Sequence, residues 1–187
     1  MSRYTEKLIL QTFGEMLDEM PFDKITVSAL TRRSDISHNT FYYHYNDIYE
    51  LLEIWIRREL SPFFGEERSF SDWKSAMTAM LRRWQSDARR IYHVFDSLSR
   101  EQVERHVYEQ AAQFFLDQIR MLPGADALTE EQLLRISDYA RYLFFGFLMR
   151  FLWDKMQDDV ESAVHDLSVL LSSFVTHAIE DAKAGKI

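Results

Sequence analysis

Three prolines, at positions 21, 62 and 123, and five glycines are all that punctuate the 187 residues, and each proline falls between long stretches of helix-forming residues. Proline removes a backbone donor and clashes with the preceding turn, so such sparse breakers predict long helices joined by short turns. No alternation of apolar and polar residues bounded by turn signals persists, as a half-buried strand would require. No glycine-rich loop follows a strand either, which excludes dinucleotide and phosphate-loop folds. The predicted class is all-α. With no cysteine there is no disulfide framework, no thiolate nucleophile and no cysteine-rich zinc site. The most apolar stretch, YLFFGFLM between Arg141 and Arg150, is far shorter than the roughly 18 to 20 residues a bilayer needs. Glu6 and Lys7 stand where a secretion signal would begin its apolar run, so a cytoplasmic protein with no membrane partner is expected.

Helical spacing of Ile9, Phe13, Met16, Leu17 and Met20 predicts a first helix over Tyr4 to Met20, ended by Pro21-Phe22-Asp23. Thr26 stands at an N-cap position before a short helix, VSALTRRS, with Val27 and Leu30 inward. Asp35-Ile36 makes a turn, and Ser37 caps a third short helix, HNTFYYHY. There Phe41 and Tyr45 lie one turn apart and face inward, which projects His38, Asn39, Tyr42 and Tyr43 outward. A fourth helix opens near Asp47, carries Leu51, Leu52 and Trp55, and stops before Pro62. Two short helices joined by a tight turn and braced by longer ones form a helix-turn-helix, whose second member enters the major groove. The chain is acidic, net -8, so any nucleic-acid contact must be local, and Lys24, Arg32 and Arg33 facing only Asp35 make 24–46 the exception.

The segment from Ile25 to Leu52 resembles the DNA-binding signature of the tetracycline-repressor (TetR) family. Thr26, Val27, Ser37, Thr40, Phe41, Tyr42, His44 and Leu51 match the pattern, with Leu30, Ile36 and Tyr45 as conservative stand-ins. Three positions depart from it. Asp35 replaces the turn glycine, and Asp enters the left-handed region more readily than most residues. Asn39 replaces a small residue at the head of the recognition helix, and Ile48 replaces the lysine that in the family meets a backbone phosphate. PFDKITV, the FYYHY core and the stretch Gly146 to Trp153 resemble the branch that includes regulators of dihydroxyacetone kinase operons.

The resemblance implies a three-helix DNA-binding domain over 1–62 and a C-terminal ligand-binding and dimerisation domain over 63–187. It implies that Thr26, Tyr42 and His44 contact phosphates, and that His38, Asn39, Thr40 and Tyr43 face base edges. Ser28 and Ser37 complete the expected DNA-binding set. Asn suits adenine, and Thr or Tyr suits a thymine methyl. Arg32 and Arg33 read as an ordinary solvated pair.

Beyond Pro62, amphipathic helices are predicted over Ser71 to Trp84, Asp87 to Leu98, Glu101 to Leu122, Glu130 to Met156 and Val160 to Ala182. Tyr139 to Trp153 is apolar on nearly every side, so that helix calls for burial on more than one face. On the last helix Val160, Val164, Leu167, Leu171, Phe174 and Ala178 recur by four and three, the seam of helix-on-helix packing. With Tyr142, Phe145 and Met149 they form the expected homodimer interface, and the resemblance implies a four-helix bundle there. Trp73, Met77, Met80, Trp84, Tyr92, Phe95, Phe114 and Phe115 are large, adaptable groups that suit a small hydrophobic effector. A protein co-regulator is the other partner the branch implies.

Ser37, His38 and His44 invite a catalytic reading, but no buried carboxylate is placed to orient either histidine. His93, His106, His165 and His177 form no i, i+4 pair, so neither metal nor cofactor is expected and the histidines read as surface or satisfied core. The sequence thus predicts a homodimeric repressor that reads a palindromic operator in double-stranded DNA and is released by an effector. The alternative is a helical protein-interaction module on the same fold with weak or no DNA binding.

Overall fold

The computed structural model describes residues 2–64 and 72–187, and the side chains of 2, 64, 100, 101, 103–107 and 109–111 fall outside that description. Among the described residues there is no strand. The described residues form nine helices in order: α1 Ser2–Glu19, α2 Val27–Arg33, α3 His38–His44, α4 Ile48–Phe64, α5 Trp73–Ser86, α6 Ala88–Phe95, α7 Arg100–Arg120, α8 Glu130–Trp153 and α9 Val160–Lys183. Single 3-10 turns, Phe22–Lys24 and Ala125–Ala127, follow Pro21 and Pro123. No described helix is long and apolar enough to cross a membrane. The predicted start at Ser71 lies outside the described residues.

One expectation is overturned at once: α4 runs through Pro62 rather than stopping before it. A proline in a final turn forfeits one hydrogen bond, and the helix ends two residues later, so little ladder remains to be lost.

Contacts divide the chain into two compact units, one of Met1–Glu59 with Ser86–His106, the other of Leu60–Gln85 with Val107–Ile187. The first differs from a linear cut at Pro62 because α6 packs on α1. Its core gathers Ile9, Phe13 and Leu17 from α1, Leu30 from α2, Phe41 from α3 and Leu51, Leu52 and Trp55 from α4, with Val94 of α6 at its edge. The ring of Phe13 meets those of Phe22 and Trp55 edge-on, each at 6.2 Å between centroids. Gly14 suits this packing, because a Cβ there would stand 3.1 Å from the Trp55 indole nitrogen and the indole would have to give by a few tenths of an ångström.

Polar contacts fasten α6 to the end of α1. Arg90 donates through Nε and Nη2 to both oxygens of Asp18 at 2.6 Å each. These bonds hold the Asp18 carboxyl below the usual carboxylate range and raise the Arg90 guanidinium above its own. His93 Nδ1 lies 2.6 Å from the Leu17 carbonyl oxygen, which makes that nitrogen the donor. The Asp23 amide donates to Ser97 Oγ at 3.4 Å.

In the second unit Thr129 and Gln132 form a reciprocal capping box at the start of α8. Gln132 Nε2 also donates to the carbonyls of Ala182 and Ile187 at 3.1 and 3.0 Å, tying the end of α9 to the start of α8. The α8–α9 turn places Lys155 and Met156 in the left-handed region, and Gln85 Nε2 donates to the Met156 carbonyl at 2.8 Å.

Most of the expected interface seam is covered within its own chain. Val160, Val164, Leu167 and Leu171 of α9, with Phe145 and Met149 of α8, are already buried within their own chain. Such residues have almost no surface left to give a partner. Of the nine expected, Tyr142 is exposed and Phe174 and Ala178 are half-buried. Beside Tyr142, α8 also exposes Tyr139, Leu143 and Trp153.

Candidate nucleic-acid interface

The short helices α2 and α3 stand on their caps. Thr26 Oγ1 accepts the Ala29 amide at 3.2 Å, and Ser37 Oγ accepts the Thr40 amide at 3.0 Å. Each satisfies a donor that an isolated seven-residue helix would leave orphaned. Between them Ser34 Oγ donates to the Leu30 carbonyl at 2.7 Å, and Asp35 turns the chain with φ 53°. The left-handed turn that usually calls for glycine is therefore made here by aspartate.

One face of α3 is locked inward. Phe41 is fully buried and Tyr45 nearly so, their ring centroids 5.5 Å apart. Burial pushes the Tyr45 hydroxyl up to about 12, with the Glu6 carboxylate acting in the same direction. The other face is open: Tyr43 is 79% and Tyr42 56% exposed, and His38 and Asn39 are exposed beside them. Tyr42 stands edge-on to Phe41 at 5.4 Å, and Tyr43 edge-on to His44 at 5.2 Å, so each phenol is braced at its ring.

Ser28 Oγ lies 3.1 Å from His38 Nε2, a bridge from α2 to the head of α3. Thr40 is half-buried and its hydroxyl lies 2.8 Å from Ser37 Oγ. A hydroxyl that accepts a bond can still donate one, so the Thr26 hydroxyl keeps a proton to give, whereas the Ser37 proton is shared with the Thr40 hydroxyl in a bond that either can donate. Thr26, Ser28, Ser37, His38, Asn39, Tyr42 and Tyr43 thus share exposed positions along α2 and α3, with Thr40 and His44 half-covered.

Two features escaped the sequence. Arg32 and Arg33 are not alike: Arg33 binds both oxygens of Glu19 at 2.6 and 2.7 Å, clamping α2 to α1, while Arg32 is exposed and carries no ion pair among the described residues. The start of α4 is filled by its own carboxylates. Asp47 Oδ1 accepts the Tyr49 and Glu50 amides at 2.8 and 2.9 Å, and Glu50 Oε2 accepts both the backbone and side-chain N–H of Asn46 at 2.6 and 2.8 Å. Acids therefore crowd the corner where Ile48 has already removed a cation.

A TetR family model described as a transcriptional regulator C-terminal region matches residues 71–173, more than half of the chain. The chain belongs to the TetR family of transcriptional regulators. Among solved structures it is similar to "Dihydroxyacetone kinase operon activator DhaS", with 15% identity and a TM-score of 0.66 over 92% of this chain and 97% of that one. It is also similar to a TetR transcriptional regulator from Streptococcus agalactiae 2603V, with 17% identity and a TM-score of 0.62 over 95% and 94%. At those identities the likeness is one of fold, and the fold is a TetR helix-turn-helix followed by a helical C-terminal region. No curated protein matches the chain.

The expected effector residues are divided between the two units. Tyr92 and Phe95 lie on α6 in the first unit, whereas Trp73, Met77, Met80, Trp84, Phe114 and Phe115 lie in the second. Met77, Met80, Phe114 and Phe115 are buried there. Trp73 and Trp84 are half-buried.

Proposed function

We propose that this TetR-family regulator binds a specific palindromic operator as a homodimer and represses transcription until an effector releases it. The observation that carries the reading is the two-sidedness of α3. Phe41 and Tyr45 fix the helix from within, while Tyr42 and Tyr43 stand in solvent beside His38 and Asn39. Exposed aromatics on so short and rigid a helix are costly unless something is read with them. On this reading Thr26, Ser28, Ser37, Tyr42 and His44 hold phosphates and set the register, and His38, Asn39, Thr40 and Tyr43 touch base edges.

Residues 1–62 supply the reading head and 63–187 the regulatory part, and the outward apolar face of α8 and α9 supports the homodimer. Two-fold symmetry would then set the recognition helices about 34 to 36 Å apart, or a multiple, to match two half-sites. A small hydrophobic effector or a protein co-regulator would act through the C-terminal part by preferring the form that cannot span those half-sites. The protein would work in the cytoplasm, with no catalysis, metal or cofactor. In a transcription reporter, loss of the gene raises output for a repressor and lowers it for an activator, the activity named for one structural neighbour.

The acids at the start of α4 favour a second reading, a protein-interaction module whose DNA binding has weakened. Fluorescence anisotropy on labelled duplexes tiling the gene's own upstream region, at low and moderate salt, separates the two. Saturable binding to one tile that falls with salt and is lost in the Tyr42→Ala/Tyr43→Ala protein establishes the regulator. Uniform weak binding unchanged in that variant refutes it.

A further inference from the structure

Glycine in a helix interior costs stability relative to alanine, so it calls for a reason. Gly14 makes room for Trp55, and Gly124 and Gly185 adopt positive φ of 84° and 71°. Gly146 has no such reason among the described residues: it lies inside α8, is exposed, and a Cβ placed on it would meet none of their atoms within 4 Å. It forms part of the floor of an open groove of about 590 Å³ between α8 and α9.

The groove is apolar along its middle and charged at its margins. Leu143 and Phe147 of α8 and Leu170 of α9 line it, Arg150 stands on the α8 wall, and Asp159 and Asp166 on the α9 side. Among the described residues Arg150 is held by a solvent-exposed contact to Asp154 at 3.3 Å, a pairing weak enough to exchange. Leu170 is 67% exposed at the groove's edge, and Trp153 is 58% exposed on the same face of α8. A surface with a cation on one wall and acids on the other is complementary to itself after a half turn, the requirement of an isologous two-fold contact. Each copy would then bring its Arg150 to the acids of the other.

We infer that Gly146 is the hole of a knob-into-hole contact between two copies of this chain, and that the side chain entering it is Leu170 of the second copy. The inference rests on the homodimer reading above and adds what fixes its register. Gly146 is kept small because the second copy needs the space, at the expense of the helix it belongs to.

The test is sedimentation equilibrium of the full chain, with circular dichroism and thermal melts on the same samples. Wild type is expected to be dimeric. Gly146→Leu fills the hole and is expected to raise the dimer dissociation constant about tenfold or more, with helicity and melting of the monomer retained. Gly146→Ala, which meets nothing in its own chain, provides the folded control. Leu170→Ala in the Gly146→Leu background is expected to restore association by vacating the crowded space. A Gly146→Leu chain that dimerises as tightly as wild type overturns the inference while leaving the homodimer standing. Failure of Leu170→Ala to restore association overturns Leu170 as the knob. A wild type that is monomeric at tens of micromolar removes the homodimer reading itself.

Discussion

Replacing Tyr45 by Phe removes one oxygen from the core of the DNA-reading unit and changes almost nothing else. Tyr45 is 2% exposed, and its hydroxyl has no hydrogen-bond partner among the described residues. A buried polar group left unpaired costs about 1–3 kcal/mol, so Tyr45→Phe should stabilise the protein by an amount on that order. For a chain of this length each kcal/mol is worth roughly 2–4 °C in melting temperature. The pH dependence supplies an independent check. Burial raises the phenol to about 12 from an ordinary value of 10.0. Above pH 10 the unfolded chain loses this proton while the folded chain retains it, so stability falls as pH rises from 10 towards 12. The variant lacks that loss, and its advantage should widen between pH 8 and pH 10.5. Urea denaturation at the two pH values, read by tryptophan fluorescence, measures both. A variant less stable than wild type at pH 8, or an advantage that does not grow with pH, would refute the argument by showing that the hydroxyl is satisfied.

Ser37→Ala should cost about 1 kcal/mol by removing the cap on the Thr40 amide, and, if α3 carries the contacts as proposed, should weaken DNA binding more than it lowers the melting temperature. Asp18→Asn tests the strap on α6. The aspartate is held below its usual range chiefly by its hydrogen bonds to Arg90, so its stabilisation is present above the ordinary carboxylate range and is lost as pH falls through the lowered value. The variant should be less stable at neutral pH and lose less below about pH 4, in melts from pH 7 to pH 3. Ile48→Lys restores a cation beside the carboxylates of α4. It should tighten operator binding and steepen the slope of log K against log salt by about one counterion, while Tyr42→Ala should abolish binding at every salt concentration.

The head of the molecule was legible because its signals are local. Thr26 and Ser37 precede helices by the offset a cap demands, and the four-residue step from Phe41 to Tyr45 decides which face of α3 is outward. Asp35 could be placed in the left-handed region from residue type alone. The partner of a helix is not local, and there the sequence says less. An apolar stripe on α9 says that the helix packs on something but not on what, and Val160, Val164, Leu167 and Leu171 are buried within their own chain. Arg33 resembled its neighbour until folding brought Glu19 within 2.6 Å. Proline at 62 marks where a helix weakens, and α4 ends two residues past it rather than before it.

The attachment of α6 to α1 has a consequence for anyone who would exchange parts between such regulators. Residues 1–62 share their compact unit with Ser86–His106. The piece that braces the end of α1 through Arg90, His93 and Ser97 is encoded a whole helix further on, after α5. A chimera joined at Pro62 would inherit a foreign brace, and its Asp18 would face whatever side chain the donor happened to carry. Grafts that keep Ala88–Phe95 with the head respect the seam along which the molecule is built, and a duplication or recombination that divides the chain elsewhere must re-evolve those contacts before the head can read DNA on its own terms.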